Sequence, residues 1–447
     1  MTKKISRRRK AIIRRRIFLA CCSLLLISTV ALIVFIIGAV MGKGNEKIKT
    51  DISSETTVVS EPKFEETYAT IVSTGDIMVH DPQLAGAYNS STGEYDFGDF
   101  FKELTPYFSS ADLAVANLEV TFGGSEAGSY KGYPAFNCPD SLGNAIKSAG
   151  LNLLLTANNH SYDTGLSGFL RTQEILDNFG LEYTGTRKTE QDPSYIVKEI
   201  NNIKIGITNF TYETAGDLQG RKYLNGILLS QEANGLINSF SYNRIEEFYL
   251  TAQSHVTEMK EKGAEFIVFY IHWGNEYQNQ PNTWQKSIAQ KLSNMGVDMI
   301  IGSHPHVIQP VELLYSEDGQ NTTVCLYSTG NAISNQRQEV MDSCPTGHTE
   351  DGMLFSFTLK KTEDGVLLDD LDIIPTWVDK YKGDNGKYKY TIYPLEKEND
   401  GADKFSLSTA TVARAAKSYK RTIEIIGDGL TACQREIGCE ITFENIS

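Results

Sequence analysis

The sequence predicts an α/β fold, and three observations carry that prediction. From about residue 67 onward, short β-rich runs alternate with helical stretches, the order expected when crossover helices join neighbouring strands. Gly150, Gly180, Gly263 and Gly296 each follow a predicted helix, where a left-handed C-terminal cap is wanted. FIVFYI, and MIIG within DMIIG, are continuously apolar runs, which suits strands covered on both faces.

The elements follow in order. Residues 1–16 hold nine Lys or Arg and no acid, and read as a basic cytoplasmic segment. Residues 17–41 are almost unbroken apolar sequence without a charge, long enough at 1.5 Å per residue to cross a hydrocarbon core of about 30 Å. The heavier basic flank precedes this stretch, so a single-pass anchor would leave the N-terminus cytoplasmic and the body extracytoplasmic, at the cell membrane. A cleaved signal peptide would have a shorter apolar region and a small residue at its end, and Ala39-Val40-Met41 does not fit that pattern. Residues 42–66 are polar, Ser/Thr-rich and patternless, and read as a flexible stalk.

Residues 67–380 form the main domain. Strands are predicted at 69–73, 113–116, 151–156, 203–209, 266–271, 297–301, 324–327 and 353–359, with helices at 141–149, 165–179, 244–262 and 283–295. The stretch 381–404, rich in Lys, Asp, Gly and Asn, reads as a linker, and a helix is predicted over 409–426. Residues 381–447 are therefore expected to be a linker and a small C-terminal appendage.

Composition excludes several classes. The 447 residues are 40% hydrophobic and 22% charged, so the chain is neither disordered nor a small disulfide scaffold. Removing the nine N-terminal basic residues from the total of 42 leaves 33 against 56 acidic ones, a formal net of −23. Such a body argues against nucleic acid as a partner, because phosphate backbones need a basic surface. An anionic substrate is still allowed where bound cations invert the local field. Of the cysteines, Cys433 and Cys439 are the candidate disulfide pair, and no CxxC zinc pattern exists.

Histidine placement carries the chemistry. Five of the seven histidines (His80, His160, His272, His304 and His306) fall at the C-terminal ends of predicted strands, the edge where ligands collect in α/β folds. Their neighbourhoods are Gly75-Asp76, Asn117-Leu118-Glu119, Asn158-Asn159-His160, His272-Trp273-Gly274-Asn275-Glu276 and Gly302-Ser303-His304-Pro305-His306. Singly, each is readable as a structural hydrogen-bonder or a turn. Jointly they point to a metal site, and imidazole with carboxylate suits Zn, Mn or Fe. His255, within a predicted helix, and His348, in a polar loop, read as surface residues.

The order of these motifs resembles the poly-gamma-glutamate capsule biosynthesis (CapA-type) family, itself similar to calcineurin-like metallophosphoesterases. The match covers roughly residues 69–376 and includes Gly330-Asn331. The resemblance implies a layered α/β/β/α sandwich and one or two divalent ions. It implies Asp76 and His306 as ligands of a first metal and His272, His304 and Asn159 as ligands of a second. It implies Glu119 between the two and His160 as the catalytic proton donor. His80, Asn117, Asn158, Trp273, Glu276 and Asn331 are further metal or pocket candidates. Two departures stand out: Met78 occupies a position where a ligand His is usual, with His80 as a possible substitute, and Glu119 replaces an Asp. The implied function is capsule, poly-gamma-glutamate or related envelope-polymer synthesis or export, through hydrolysis of phosphoester-like bonds. A non-catalytic polymer-binding or export-complex subunit is the alternative. Implied partners are the membrane, an anionic polymer or phosphoester, and other capsule-synthesis membrane proteins.

Overall fold

A computed structural model describes residues 64–214 and 220–443. The basic segment, the anchor, residues 42–63 of the stalk, Cys21 and Cys22 lie outside the described residues. Among the described residues no helix is long and apolar enough to cross a membrane.

Two sheets build the domain. The first contains β1 (Thr67–Ile77), β2 (Leu113–Leu118), β3 (Leu153–Leu155) and β4 (Glu182–Thr184), all parallel. The second contains β5 (Ile196–Ile200), β6 (Ile203–Tyr212), β7 (Ser239–Phe240), β8 (Phe266–His272), β9 (Met299–Ser303), β10 (Ile308–Tyr315) and β11 (Thr322–Thr329), in the order β7-β6-β8-β9-β11-β10, with β5 antiparallel beside β6. The chain then returns to the first sheet with β12 (Asn331–Ile333), β13 (Asp351–Thr362), β14 (Gly365–Lys382) and β15 (Tyr388–Pro394). That sheet reads β15-β14-β13-β1-β2-β3-β4, with β12 parallel to the end of β1.

Side-chain alternation explains the layering, because successive residues of a strand face opposite sides. Ile71, Leu113, Val115, Leu153 and Leu155 of the first sheet share one buried cluster with Ile205, Ile207, Val268, Tyr270 and Ile301 of the second. The two sheets therefore pack face to face. The alternate residues Val72, Ala114, Ala116 and Leu154 lie in a second cluster under α1 (Asp81–Ala87), α2 (Ser141–Ala149) and α3 (Gly165–Phe179). Ile267, Phe269, Ile271 and Ile300 lie in a third under α4 (Ile245–Glu261) and α5 (Thr283–Asn294). The central strands are apolar on both faces for this reason, and the layers run helix, sheet, sheet, helix. All four expected glycines follow their helices at positive φ.

Four expectations are corrected. Residues 381–394 are not a linker, since β14 and β15 pair antiparallel there and extend the first sheet. Nor is the C-terminal part an appendage. Helix α6 (Thr409–Ile437) runs well past the expected end, and its Ile426, Leu430 and Cys433 lie in the cluster between the sheets. Fully burying Ile426 and Leu430 contributes about 1.5–3 kcal/mol each. Cys433 and Cys439 are free thiols. His255 is buried rather than on the surface, held between Ser194 Oγ at 2.8 Å and Thr208 Oγ1 at 3.0 Å.

Candidate metal centre

The parallel strands of both sheets end at one edge, and the chemistry-bearing residues gather there. β1 carries a bulge. Its register against β2 slips between Thr74 and Asp76, and Gly75 lies so close to the neighbouring chain that a Cβ would sit 1.9 Å from Gly330 O. Only glycine fits that approach, and the bulge presents Asp76 to the site. Asn117 comes from β2, and Glu119 follows it directly. Asn158-Asn159-His160 form the turn after β3, where Asn158 Oδ1 accepts the His160 N–H at 3.1 Å. His272 is the last residue of β8, and His304 and His306 follow β9.

These side chains meet. Asn117 Nδ2 lies 2.8 Å from Asp76 Oδ1 and 3.2 Å from Glu119 Oε2. Asn158 Nδ2 donates to Asn117 Oδ1 at 3.1 Å and to Leu118 O at 2.7 Å. His272 Nε2 lies 2.8 Å from Asn159 Oδ1 and 3.5 Å from Glu119 Oε1, and its Nδ1 lies 2.9 Å from Ser303 Oγ. His306 Nδ1 lies 3.2 Å from Asp76 Oδ2 and 3.1 Å from Asn331 Oδ1. All are buried.

Two triads are close enough to share an ion: Asp76, Glu119 and His272, and Glu119, His304 and His306. Glu119 is common to both, as the resemblance implies. Asp76 also lies beside His306 and Asn159 beside His272, the pairings the resemblance implies, while the triads set His272 with Asp76 and His304 with His306. The donor set fits a divalent transition ion, since imidazole and carboxylate are combined. Two buried atoms there lack any hydrogen-bond partner, Glu119 Oε1 and His304 Nδ1. Orphaned polar atoms are costly unless something else satisfies them.

Electrostatics and strain single out the same place. Burial pushes the Asp76 carboxyl up, but its His306 hydrogen bond and the charges of His306 and His272 outweigh burial and hold it below its ordinary value. Burial opposes charge on His306, yet Glu119 and Asp76 raise it to about 9. Burial and the neighbouring histidines hold His304 well below its ordinary value. His304, His306 and Tyr277 all have left-handed backbones, with φ of 96°, 56° and 63°. Such conformations cost about 1–3 kcal/mol each and cluster at functional sites.

His160 stands beside the triads, outside both. Its Nδ1 lies 2.8 Å from Asp163 Oδ2, and the Asp163 side chain is fully buried. Asp163 also accepts from Phe136 N at 2.6 Å and from Asn225 Nδ2 at 2.9 Å. A carboxylate so held accepts the Nδ1 proton and leaves Nε2 of His160 for chemistry. Asp163 escaped the sequence reading, although its i+3 spacing from His160 on one turn was the available signal.

Other candidates separate. Trp273 is not a pocket residue: it is fully buried in the outer core of the second sheet, with Nε1 donating to Tyr327 O at 3.0 Å. Strand alternation explains this, because its neighbour His272 faces inward. Met78 is buried in the outer core of the first sheet. His80 does not replace it in either triad. It precedes α1, receives Asn335 N on Nδ1 at 3.3 Å, and is held down to about 4 chiefly by burial. Glu276 is exposed at the rim, and Asn331 braces His306.

Comparison with known proteins identifies the family. The profile of the family described as "Bacterial capsule synthesis protein PGA_cap" matches residues 70–336. The chain is 27% identical over 334 residues to the PGA biosynthesis protein CapA of Bacillus subtilis (strain 168), covering 73% of this chain and 78% of the relative. It is 26% identical over 312 residues to the capsule biosynthesis protein CapA of Bacillus anthracis, covering 68% and 66%. The residues at the strand ends and the span of the match lead to one conclusion: the chain belongs to the bacterial capsule synthesis protein family PGA_cap and is of the CapA type.

Proposed function

We propose that this CapA-type protein is a metal-dependent hydrolase acting on phosphoester-like bonds in the synthesis or export of an envelope polymer. In this reading residues 17–41 anchor it in the cell membrane, and the domain from residue 67 works outside the cytoplasm. The observation that carries the hydrolase reading is Glu119, buried, shared by both triads and left with an orphaned oxygen.

Asp76, Glu119, His272, His304 and His306 would hold the ion or ions, with Asn159 Oδ1 beside His272. Bound Zn, Mn or Fe would polarise a phosphoryl group and stabilise its developing charge. The chain's own groups supply the rest. His160 Nε2 gives a proton to the leaving oxygen, while Asp163 stabilises the resulting tautomer and ring orientation. Asn117 and Asn158 fix the two carboxylates in place. Burial excludes bulk water, which strengthens each of these interactions.

Met78 favours a second reading. Its core position leaves the first metal one ligand short of the enzyme pattern, as expected of a non-catalytic polymer-binding or export-complex subunit with a degenerate site.

Metal analysis with p-nitrophenyl phosphate and bis(p-nitrophenyl) phosphate assays separates the readings. Purified protein is expected to carry Zn, Mn or Fe, and His304→Ala with His306→Ala to abolish binding and hydrolysis. Stoichiometric metal in that double variant overturns the site. Wild-type metal without hydrolysis selects the second reading.

A further inference from the structure

Beside His304 the edge of the second sheet opens into a cleft of about 540 Å³. Aromatic rings lead outward from the metal centre. Tyr212, at the end of β6, has its ring 4.7 Å from that of His304. Tyr242 stacks 6.4 Å from Tyr212, and Trp284, 42% exposed, lies 5.4 Å from Tyr242. Two carboxylates, Glu213 and Glu276, line the same cleft. Glu213 is compensated, since Arg244 lies 3.2 Å from Oε2 and Ser239 Oγ donates to Oε1 at 3.0 Å. Glu276 is exposed to the cleft and close enough to Tyr212 to disfavour its ionisation, second only to burial. No Lys or Arg is among the described residues that line it.

A densely anionic chain meets repulsion from Glu276 in such a cleft, and no Lys or Arg among the described lining residues would replace its counterions. An alkylammonium group finds the opposite: the aromatic rings of Tyr212 and Tyr242 in the lining and an exposed carboxylate to balance its charge. We propose that the cleft is a subsite for an ammonium group. The substrate is then zwitterionic, with its anionic or carbonyl oxygens on the metal centre and its ammonium against Tyr212, Tyr242 and Glu276. This rests on the metal-centre reading for the position of the anionic end. The ammonium end rests on the cleft alone.

The test uses calorimetric binding to the purified protein, loaded with Mn and metal-free. The probes are phosphocholine, its uncharged-tail isostere 3,3-dimethylbutyl phosphate, and tetramethylammonium. Phosphocholine is expected to bind at least about tenfold tighter than the isostere, and Glu276→Gln to remove most of that preference without changing metal content. Tyr242→Leu is expected to act in the same direction. Equal affinity for the two phosphates, or a preference that survives Glu276→Gln, overturns the subsite. Tetramethylammonium needs no metal. If it binds and Glu276→Gln weakens it while no ion loads, the subsite stands and the metal-centre reading falls.

Discussion

Glu119→Gln offers the sharpest test of the centre, because the substitution should act in opposite directions with and without metal. Glu119 Oε1 is buried with no hydrogen-bond partner among the described residues, while Oε2 takes the Asn117 amide at 3.2 Å. Leaving a buried polar atom unsatisfied costs about 1–3 kcal/mol, more when the group is charged. Glutamine removes the charge and places its amide where His272 Nε2 lies 3.5 Å and His306 Nε2 3.9 Å away. The metal-free variant is therefore expected to be as stable as wild type or more stable, by about 1–2 kcal/mol. With Zn or Mn added the order reverses. The shared carboxylate is lost from both triads, and a hundredfold weaker affinity removes about 2.7 kcal/mol of ligand stabilisation. Thermal or urea unfolding with and without chelator reads both signs. Equal destabilisation of the variant in both conditions would refute the reasoning and make Glu119 a structural carboxylate.

Three further outcomes follow from particular side chains. Asp163→Asn should lower hydrolysis about 100-fold for alkyl phosphodiesters and much less for aryl ones, whose leaving groups need no proton; equal losses would remove His160 from proton donation. His255 has its pKa held to about 4 by burial, against about 6.5 when unfolded, so the unfolded state alone takes up a proton between those values. Stability should be full above pH 6.5 and fall by up to about 3 kcal/mol as pH drops to 4, a slope that urea midpoints of His255→Gln should flatten. Arg421→Met should cost about 3–5 kcal/mol, because it leaves Asp351 buried without the guanidinium contacts at 2.6 and 2.7 Å; adding Asp351→Asn should recover much of that loss.

The central parallel strands and their helices were legible because both faces of these strands are buried, so FIVFYI and LAVA are apolar without interruption. Helices α2 and α3 began and ended where the sequence placed them, since a left-handed glycine stops each. β14 and β15 were not legible. Much of β14 is half-exposed and mixes charged with apolar residues, so 365–380 received no strand, and the polar stretch around β15 read as part of a linker from 381. Within the site, the sequence showed which residues end strands but not which face they take. Trp273 and His255 went astray for that reason: each is polar enough to suggest a surface or pocket, yet buried hydrogen bonds satisfy both. The left-handed turn through His304-Pro305-His306 was also beyond reach, because no residue type there favours positive φ.

That turn explains why a helix outside the matched family region belongs to the centre. Strained backbone persists only where its surroundings over-determine it. His306 is braced by Asn331 Oδ1, and Asn331 Nδ2 in turn lies 3.0 Å from Thr349 O. The next two residues are clamped to α6: Arg414 Nη2 reaches both oxygens of Glu350 at 2.9 and 2.8 Å, and Arg421 holds both of Asp351. Arg337 and the Trp377 indole complete the Glu350 cluster at 3.1 and 3.2 Å. Breaking this cluster should therefore loosen His306 as well as the fold. Conservative Arg414→Lys keeps the charge but loses the two-oxygen grip. It is expected to weaken metal affinity severalfold while leaving the unfolding midpoint of metal-free protein within about 1 kcal/mol. Unchanged affinity in that variant would reduce α6 to packing alone.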